Sequence, residues 1–534
     1  MRRRSESGAG RAAGRGGLLA AILAVAVLAG CVPAPAAAPA PDAPVRLRVV
    51  HTNDFHGRLL PQDPPWAEGR GVGGSAVLAA HFDSARARFG GPTIVLSGGD
   101  DYQGTAISNM SWGRATVAVM NAKRYDAAAL GNHEFDWGMD TLRARMRDER
   151  FPRMGANVYR TGTREHPDWV RPWAMIERAG IRAAVIGIAL PSTPQVVMAG
   201  RIQGIEFGPE AEAIDRYARE ARAAGADFVV VTMHVGAVCE ERGEAPEEES
   251  RGCRGSMIEV AEALTEPVDL IVGGHTHQRV LTTAGGIPVT ETAPYSVEYT
   301  VTDLERQGDS TVVLHRAVRT SWAHEVDTDT AVARIVEEWD EVVRPRAERV
   351  VIEFADAMPR RGAEHALGNL LADAYRFASG AQVGLVNNGG IRRDMPAGPI
   401  TYGMLYELHP FQNELVTVQL TGAQLRAALE TAINAEGRTN AHISGMQVRY
   451  DPGAPAGSRI REIRLDGNRI LRDTDPVTLG TTDFVATGGD RFDALLQGQM
   501  TGTGLEYLDA IVAELQTLPQ PIAPPAVGRW VPLP

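Results

Sequence analysis

A chain of 534 residues is several times the ~100–150 residues of a typical domain, which excludes a single small module and predicts at least two cores. With 44% hydrophobic and 22% charged residues, 57 Gly and 33 Pro, the composition is that of a loop-rich globular protein and not of a disordered or fibrous one. The formal net charge of −12 argues against binding a nucleic-acid polymer through a broad basic face, so any grip on phosphate must be local.

Arg2, Arg3, Arg4, Arg11 and Arg15 precede an aliphatic run from Leu18 to Leu28, the basic flank and short apolar core of an export signal, too short to span a bilayer comfortably. The run closes on Leu28-Ala29-Gly30-Cys31, which resembles a bacterial lipobox and implies acylation of Cys31 as a membrane anchor. Residues 1–30 are thus read as a lipoprotein signal and residues 31–44, rich in Pro and Ala, as an extended tether. Loss of residues 1–30 removes five Arg and one Glu, four net positive charges, and takes the total from −12 to −16. The chain is expected outside the cytoplasm, lipid-anchored in the cell envelope. Cys239 and Cys253 bracket a short acidic insert, and in an exported protein that spacing predicts a disulfide closing a surface loop.

From Val45 onward, short aliphatic runs alternate with helix-like segments: Val45 to Val50, Thr93 to Leu96, Ala183 to Ile188, Phe228 to Thr232 and Leu270 to Val272. These read as buried strands of an α/β domain over residues 45–325. Val332, Ile335, Val336, Trp339, Val342 and Val343 recur at helical spacing, with Asp327, Thr328 and Asp329 as candidate caps and Pro345 as a stop, so residues 326–348 predict a linker helix. A second α/β domain follows over residues 349–520. Its strands lie near Gln382 to Val386, Glu414 to Leu420, Gln447 to Tyr450 and Val477 to Thr481, its helices near Leu367 to Phe377 and Gln424 to Ile433. Residues 521–534 read as a tail.

The chemistry gathers where the first-domain strands end. Asp54 and His56 leave the first strand two residues apart and, if the strand geometry persists, point to one side. Asp100 follows Ser97-Gly98-Gly99, where small residues permit a tight turn. Asn132, His133 and Asp136 lie in Gly131-Asn132-His133-Glu134-Phe135-Asp136. His234 ends another strand, and His275 and His277 flank Thr276 after Gly273-Gly274. Five of the 13 histidines occupy these positions beside Gly, Asp or Asn, which points to a cation cage. Two cations about 3.5–4 Å apart suit phosphoester hydrolysis. Asp101 is read as solvated.

In this order the motifs resemble those of calcineurin-like metallophosphoesterases. The resemblance implies a four-layer αββα sandwich with one metal on Asp54, His56, Asp100 and His277. It places the second on Asp100, Asn132, His234 and His275. It makes His133 an acid or transition-state stabiliser oriented by Asp136. Mixed N/O ligands suit Mn, Zn, Co or Fe better than Ca, and two divalent ions, drawn from Mn, Zn, Co, Fe or Mg, are the expected cofactors.

In the second half, Asn387-Asn388-Gly389-Gly390-Ile391-Arg392 places an amide and a guanidinium on a Gly-rich turn. Phe411 and Phe484 lie in segments of loop character, where two rings can sandwich a base at roughly 1–3 kcal/mol per stack. Asp490 can accept from ribose hydroxyls. These segments resemble the C-terminal domain of the bifunctional metallophosphatase/5′-nucleotidase family, which includes ecto-5′-nucleotidases and the periplasmic UDP-sugar hydrolase. The resemblance implies Phe411 and Phe484 as base clamp, Asp490 as ribose partner, and Asn387 and Arg392 as polar grip. The family also carries a phosphate-binding Arg before its Leu-Gly-Asn, for which Arg361 is the candidate at a departing spacing. Nucleoside 5′-phosphates are the expected substrates, with UDP-sugars or 2′,3′-cyclic nucleotides as side activities and domain closure bringing ester to metal. The alternatives are a thiosulfohydrolase or secreted nuclease on the same scaffold, or a catalytically silent ligand-binding lipoprotein.

Overall fold

The computed structural model describes residues 45–533; the signal, Cys31 and the tether lie outside the described residues. Two six-stranded sheets form the centre of the first domain. One runs Ser310–Thr320, Glu298–Gln307, Val45–Thr52, Thr93–Ser97, Ala127–Ala129, Arg153–Met154; the other runs Val280–Ala284, Ile287–Glu291, Leu270–Val272, Phe228–Met233, Ile181–Ile188, Trp173–Arg178.

Leu47, Val49, Ile94 and Leu96 of the first sheet meet Val185, Phe228, Val230 and Val272 of the second in the inner layer. Helix Ser75–Phe89 covers the first sheet through Leu78 and Phe82 on Val50 and Val95. Helices Glu210–Ala223 and Ser256–Ala263 cover the second through Ile214, Tyr217 and Met257 on Val229, Val231 and Ile271. This is a four-layer αββα sandwich. Strands buried on both faces have no polar side to alternate with, which is why they read as continuous aliphatic runs. The four consecutive strands from Val45–Thr52 to the edge strand Arg153–Met154 run parallel, so their C-terminal ends deliver loops to one rim.

The linker helix spans Thr330–Ala347, capped by Asp329, whose carboxylate accepts from Ala331 N at 2.9 Å and Val332 N at 3.0 Å. Pro345 does not stop it, as its position had suggested. The proline falls in the last turn beside exposed Glu341, so the carbonyl deprived of an N–H partner can be hydrated. Val332 and Val336 pack on Phe55, Leu59 and Val119, fixing the helix to the catalytic domain.

In the second domain a five-stranded sheet runs Ala441–Ser444, Val383–Asn387, Pro476–Thr482, Glu414–Thr421, Gln499–Glu506. Helices Ala366–Ser379 and Tyr507–Thr517 cover one face. Helix Gly422–Thr431 and a four-stranded sheet cover the other. The tail is built into that smaller sheet: Trp530–Pro532 pairs in parallel with Met446–Tyr450, and Trp530 is buried.

Candidate functional site

The metal-ligand candidates converge at the rim of the first domain, but not by strand geometry. The first strand ends at Thr52, and Asp54, His56, Asp100, His275 and His277 all have positive φ (49°, 49°, 56°, 80° and 55°). Left-handed backbone at a non-glycine residue costs about 1–3 kcal/mol and persists only where the surroundings over-determine it. Here the two first loops are zipped together: Asp54 N donates to Gly99 O at 3.0 Å, His56 N to Asp100 O at 2.9 Å and Gly57 N to Asp101 O at 2.8 Å. Gly99 has φ 92°, and at Gly131 a Cβ would lie 2.2 Å from Asp100 Oδ1, so glycine is required there by close approach.

Ring orientation is set by carbonyls. His56 Nδ1 lies 2.7 Å from Gln103 O and His234 Nδ1 2.9 Å from Gly98 O, so each Nδ1 donates to a carbonyl and each Nε2 faces inward. His56 Nε2 lies 3.2 Å from His277 Nε2, which is 3.1 Å from Asp54 Oδ1. His234 Nε2 lies 3.0 Å from Asp100 Oδ2 and 3.1 Å from Asn132 Oδ1. Two donor sets result, Asp54 with His56 and His277, and Asp100 with His234 and His275, the donor atoms of each within 4.8 Å of one another. Asp100 Oδ2 stands between them, 3.0 Å from His234 Nε2 and 4.0 Å from His56 Nε2.

These residues fit a pair of divalent cations. Among the described residues buried Asp54 Oδ1 has no hydrogen-bond donor, and inward ring nitrogens gathered on carboxylates suit a shared electrophile. Burial holds His56 well below the ordinary imidazole range and His275 at about 4, so both rings are neutral, as coordination of a cation requires.

His133 Nδ1 lies 2.7 Å from Asp136 Oδ2, and its Nε2 lies 4.0 Å from Asp100 Oδ2. Burial pulls its pKa down, but the charges of Asp136 and Asp100 outweigh that and raise it. A protonated ring can donate to a phosphoryl or leaving oxygen.

Opposite His133, the second domain closes a cavity lined by Asn132, His133, Asp136 and His275 on one side and by Asn387, Arg392, Phe411, Phe484 and Asp490 on the other. Phe411 approaches His133 with ring centroids 5.8 Å apart, and the Arg392 guanidinium lies 6.0 Å from the Phe411 centroid. Asn387 Nδ2 donates to Asp490 Oδ2 at 2.6 Å, and burial raises the Asp490 carboxyl. Phe484 sits on a short helix, Asp483–Ala486, rather than in a loop, and packs one side on the domain core. Arg361 does not join the others. It is exposed and does not line the cavity, because the chain turns away at Gly362 (φ 89°) before helix Ala366–Ser379.

Several functional residues escaped sequence reasoning. Asp101 is not solvated: it is buried, accepts from Ser97 Oγ at 2.7 Å and pairs with Arg153 Nη1 at 2.9 Å. Glu134 is buried and accepts from Asp100 N at 2.9 Å, Asp101 N at 2.7 Å and Gly131 N at 2.7 Å. Glu291 accepts from Thr276 Oγ1 at 2.8 Å and so holds the residue between His275 and His277. Arg201, the last residue of the short 3-10 helix Ala199–Arg201, donates to Gln412 O at 2.9 Å and to Asp136 O. Only the Gly131-Asn132-His133-Glu134 motif hinted at any of these. Cys239 and Cys253 are joined, S–S 2.04 Å.

A sandwich whose strand-end loops hold two cation cages, facing a second domain across a shared cavity, defines a two-domain metallophosphoesterase. Residues 47–279 match the family model "Calcineurin-like phosphoesterase" and residues 346–497 match "5'-nucleotidase, C-terminal domain". The chain belongs to the family that joins these two domains and is a metal-dependent phosphoester hydrolase using two divalent metal ions. It is similar to "Endonuclease YhcR" of Bacillus subtilis (27% identical; 92% of this chain, 41% of that protein) and to "5'-nucleotidase" of Vibrio vulnificus (27%; 90% and 91%). Among solved structures it is similar to a 5'-nucleotidase precursor from Thermus thermophilus (27% identity, TM-score 0.80, covering 92% of this chain and 99% of that one). The chain thus spans well under half the length of the first relative and nearly all of the other two.

Proposed function

We propose that the protein hydrolyses nucleoside 5′-monophosphates to nucleoside and phosphate outside the cytoplasm, anchored by lipid at Cys31. The observation that carries the substrate is the cavity in which Phe411, Phe484 and Asp490 face His133 and Asn132. Two half-buried rings give a base its stacking surfaces, Asp490 and Asn387 offer hydrogen bonds to ribose, and the phosphate end meets the ligand rim. A cavity closed by both domains suits a mononucleotide better than a continuous strand.

Asp54, His56, Asp100 and His277 would hold one cation, and Asp100, Asn132, His234 and His275 the other. When bound, the pair polarises the phosphoryl oxygens and lowers the pKa of an attacking water. The remaining work belongs to side chains. Arg392, with a fixed positive charge and no carboxylate partner among the described residues, steers the phosphate inward. His133, held by Asp136, delivers a proton toward the oxygen that leaves. Arg201 links the Asp136 backbone to the Phe411 loop, so the proton donor and the base clamp are positioned together.

The test is AMP against a generic aryl phosphate with Phe411→Ala/Phe484→Ala. AMP turnover at low concentration should fall about 30-fold, two lost stacks at the lower end of their range, with aryl phosphate hydrolysis little changed. Equal effects on both would remove the nucleotide reading. Mass spectrometry of the mature N-terminus tests the anchor: a chain starting elsewhere than at an acylated Cys31 rules it out.

A further inference from the structure

The catalytic cavity is not the only concave surface that invites an anion. On the flank of the first domain, beside its edge strand Arg153–Met154, a cleft is lined by Arg143, Arg147, Arg150 and Arg171, with Trp169 as a wall and Phe151 and Pro152 in its lining. It shares no lining residue with the catalytic cavity.

The charge balance of this cleft is unusual for a chain of net charge −12. Most arginines of the described residues reach a carboxylate or a carbonyl, whereas none of these four side chains has an ion pair or hydrogen bond within the described residues. Of the two carboxylates at the cleft, Glu149 is buried and engaged, while Asp168 is exposed and turned toward solvent. Glu149 accepts from Tyr102 OH at 2.6 Å and from Arg153 Nη2 at 2.7 Å. Asp168 faces Arg160, 3.8 Å away.

Helix-end electrostatics account for only part of this. Arg147 lies in the last turn of helix Gly138–Asp148, where the macrodipole favours a cation. Arg143 is four residues earlier on the same face, and like charges at that spacing repel. Arg150 and Arg171 come from two other segments, Arg171 through its bridge to Met154. Four guanidinium groups from three segments brought into one concavity are stabilised by an oxyanion that accepts from several of them at once.

We infer that this cleft is a second anion site, for a phosphate or phosphomonoester dianion, separate from the metal centre. The phosphate released by hydrolysis is its ready occupant, a point that rests on the reading above; the binding itself does not.

Calorimetry of the metal-loaded full chain with inorganic phosphate tests it, because heat and not turnover is read. Two binding events are expected, one at the metal centre and one at the cleft. Arg147→Ala/Arg171→Ala should weaken the second about tenfold or more, equivalent to about 1.4 kcal/mol, while leaving the first event and kcat unchanged. Arg143→Ala/Arg150→Ala should do the same, which guards against a local folding defect in either variant. A single event in the parent, or a second event that survives in both variants, would overturn the assignment. A parallel arm uses vesicles of phosphatidylcholine with and without phosphatidylglycerol. Arginine-dependent retention on the anionic vesicles without a cleft event for free phosphate would overturn it in favour of a membrane surface.

Discussion

The imidazole of His133 is tied at Nδ1 to Asp136 Oδ2, 2.7 Å away, while its Nε2 looks toward the ligand rim and its ring faces Phe411 across the domain boundary. One carboxylate therefore fixes the aim of the ring that faces the cavity. Replacing Asp136 by Asn keeps the shape and removes the charge. Partners of this kind are worth about 10–100-fold in activity, so kcat for AMP should fall by that factor with KM changed less than about threefold. Metal content should stay at two per chain. A drop in metal content with kcat per bound metal unchanged would place Asp136 in metal retention instead.

Glu134 binds the two turns that carry Asp100 and Asn132 through three backbone N–H groups. Glutamine there has one acceptor oxygen and must turn an NH2 toward a donor. Removing one member of a buried charged network costs about 3–5 kcal/mol, so Glu134→Gln should lower the melting temperature and the metal content together. Elemental analysis and calorimetry on one preparation decide it. Full metal occupancy at an unchanged Tm would show that the turns hold their shape without the carboxylate.

What was legible in the sequence divides along physical lines. The doubly buried strands announced themselves because burial on both faces demands aliphatic side chains, and the cation ligands because His and Asp at strand ends have few other uses. The backbone that aims those ligands was hidden. Asp54 and His56 converge through left-handed turns, not through the pleat, and nothing in an Asp-Phe-His string shows φ. Asp101, Glu134, Arg153 and Glu291 were hidden for another reason: a charged residue buried by partners far along the chain looks like a solvated one until its partners are located. Arg361 fails in the opposite sense. It has the right chemistry on a segment that turns away from the cavity.

The Phe411 loop is held from the catalytic side by Gln103 Nε2 and Asn109 Nδ2, which donate to Pro410 O at 3.0 and 2.9 Å, and by Arg201 at Gln412 O, 2.9 Å. With the cavity formed between domains, we expect substrate entry to need them to part. Gln195 and Arg491 meet across the boundary at 3.3 Å, so cysteines at both positions joined by a cleavable bis-maleimide should lock this arrangement. Turnover should drop at least about tenfold on crosslinking and return on cleavage, with lid opening setting the rate as it does in many enzymes. Undiminished turnover in fully crosslinked protein would mean the cavity fills without domain motion.

Lys123 is the only lysine among the 54 Lys and Arg residues, every other being arginine, and it is buried, with Nζ unpartnered among the described residues. Its ammonium lies 3.9 Å from the centroid of Phe55, the residue between Asp54 and His56. Burial lowers its pKa to about 7, against the opposing field of Asp101. The folded pKa is below the unfolded value of 10.5, so the unfolded chain binds more protons between these limits and stability must rise with pH there. Below pH 7 the penalty is complete, on the order of 4–5 kcal/mol at 1.36 kcal/mol per pKa unit. Lys123→Met, which fills a similar volume without charge, should therefore raise Tm by about 5 °C or more at pH 6. The gain should shrink through pH 8 and 9 and vanish near pH 10.5. A gain independent of pH would assign the effect to packing. A loss at pH 6 would show that the ammonium over Phe55 stabilises the turn that carries Asp54 and His56 by more than its burial costs.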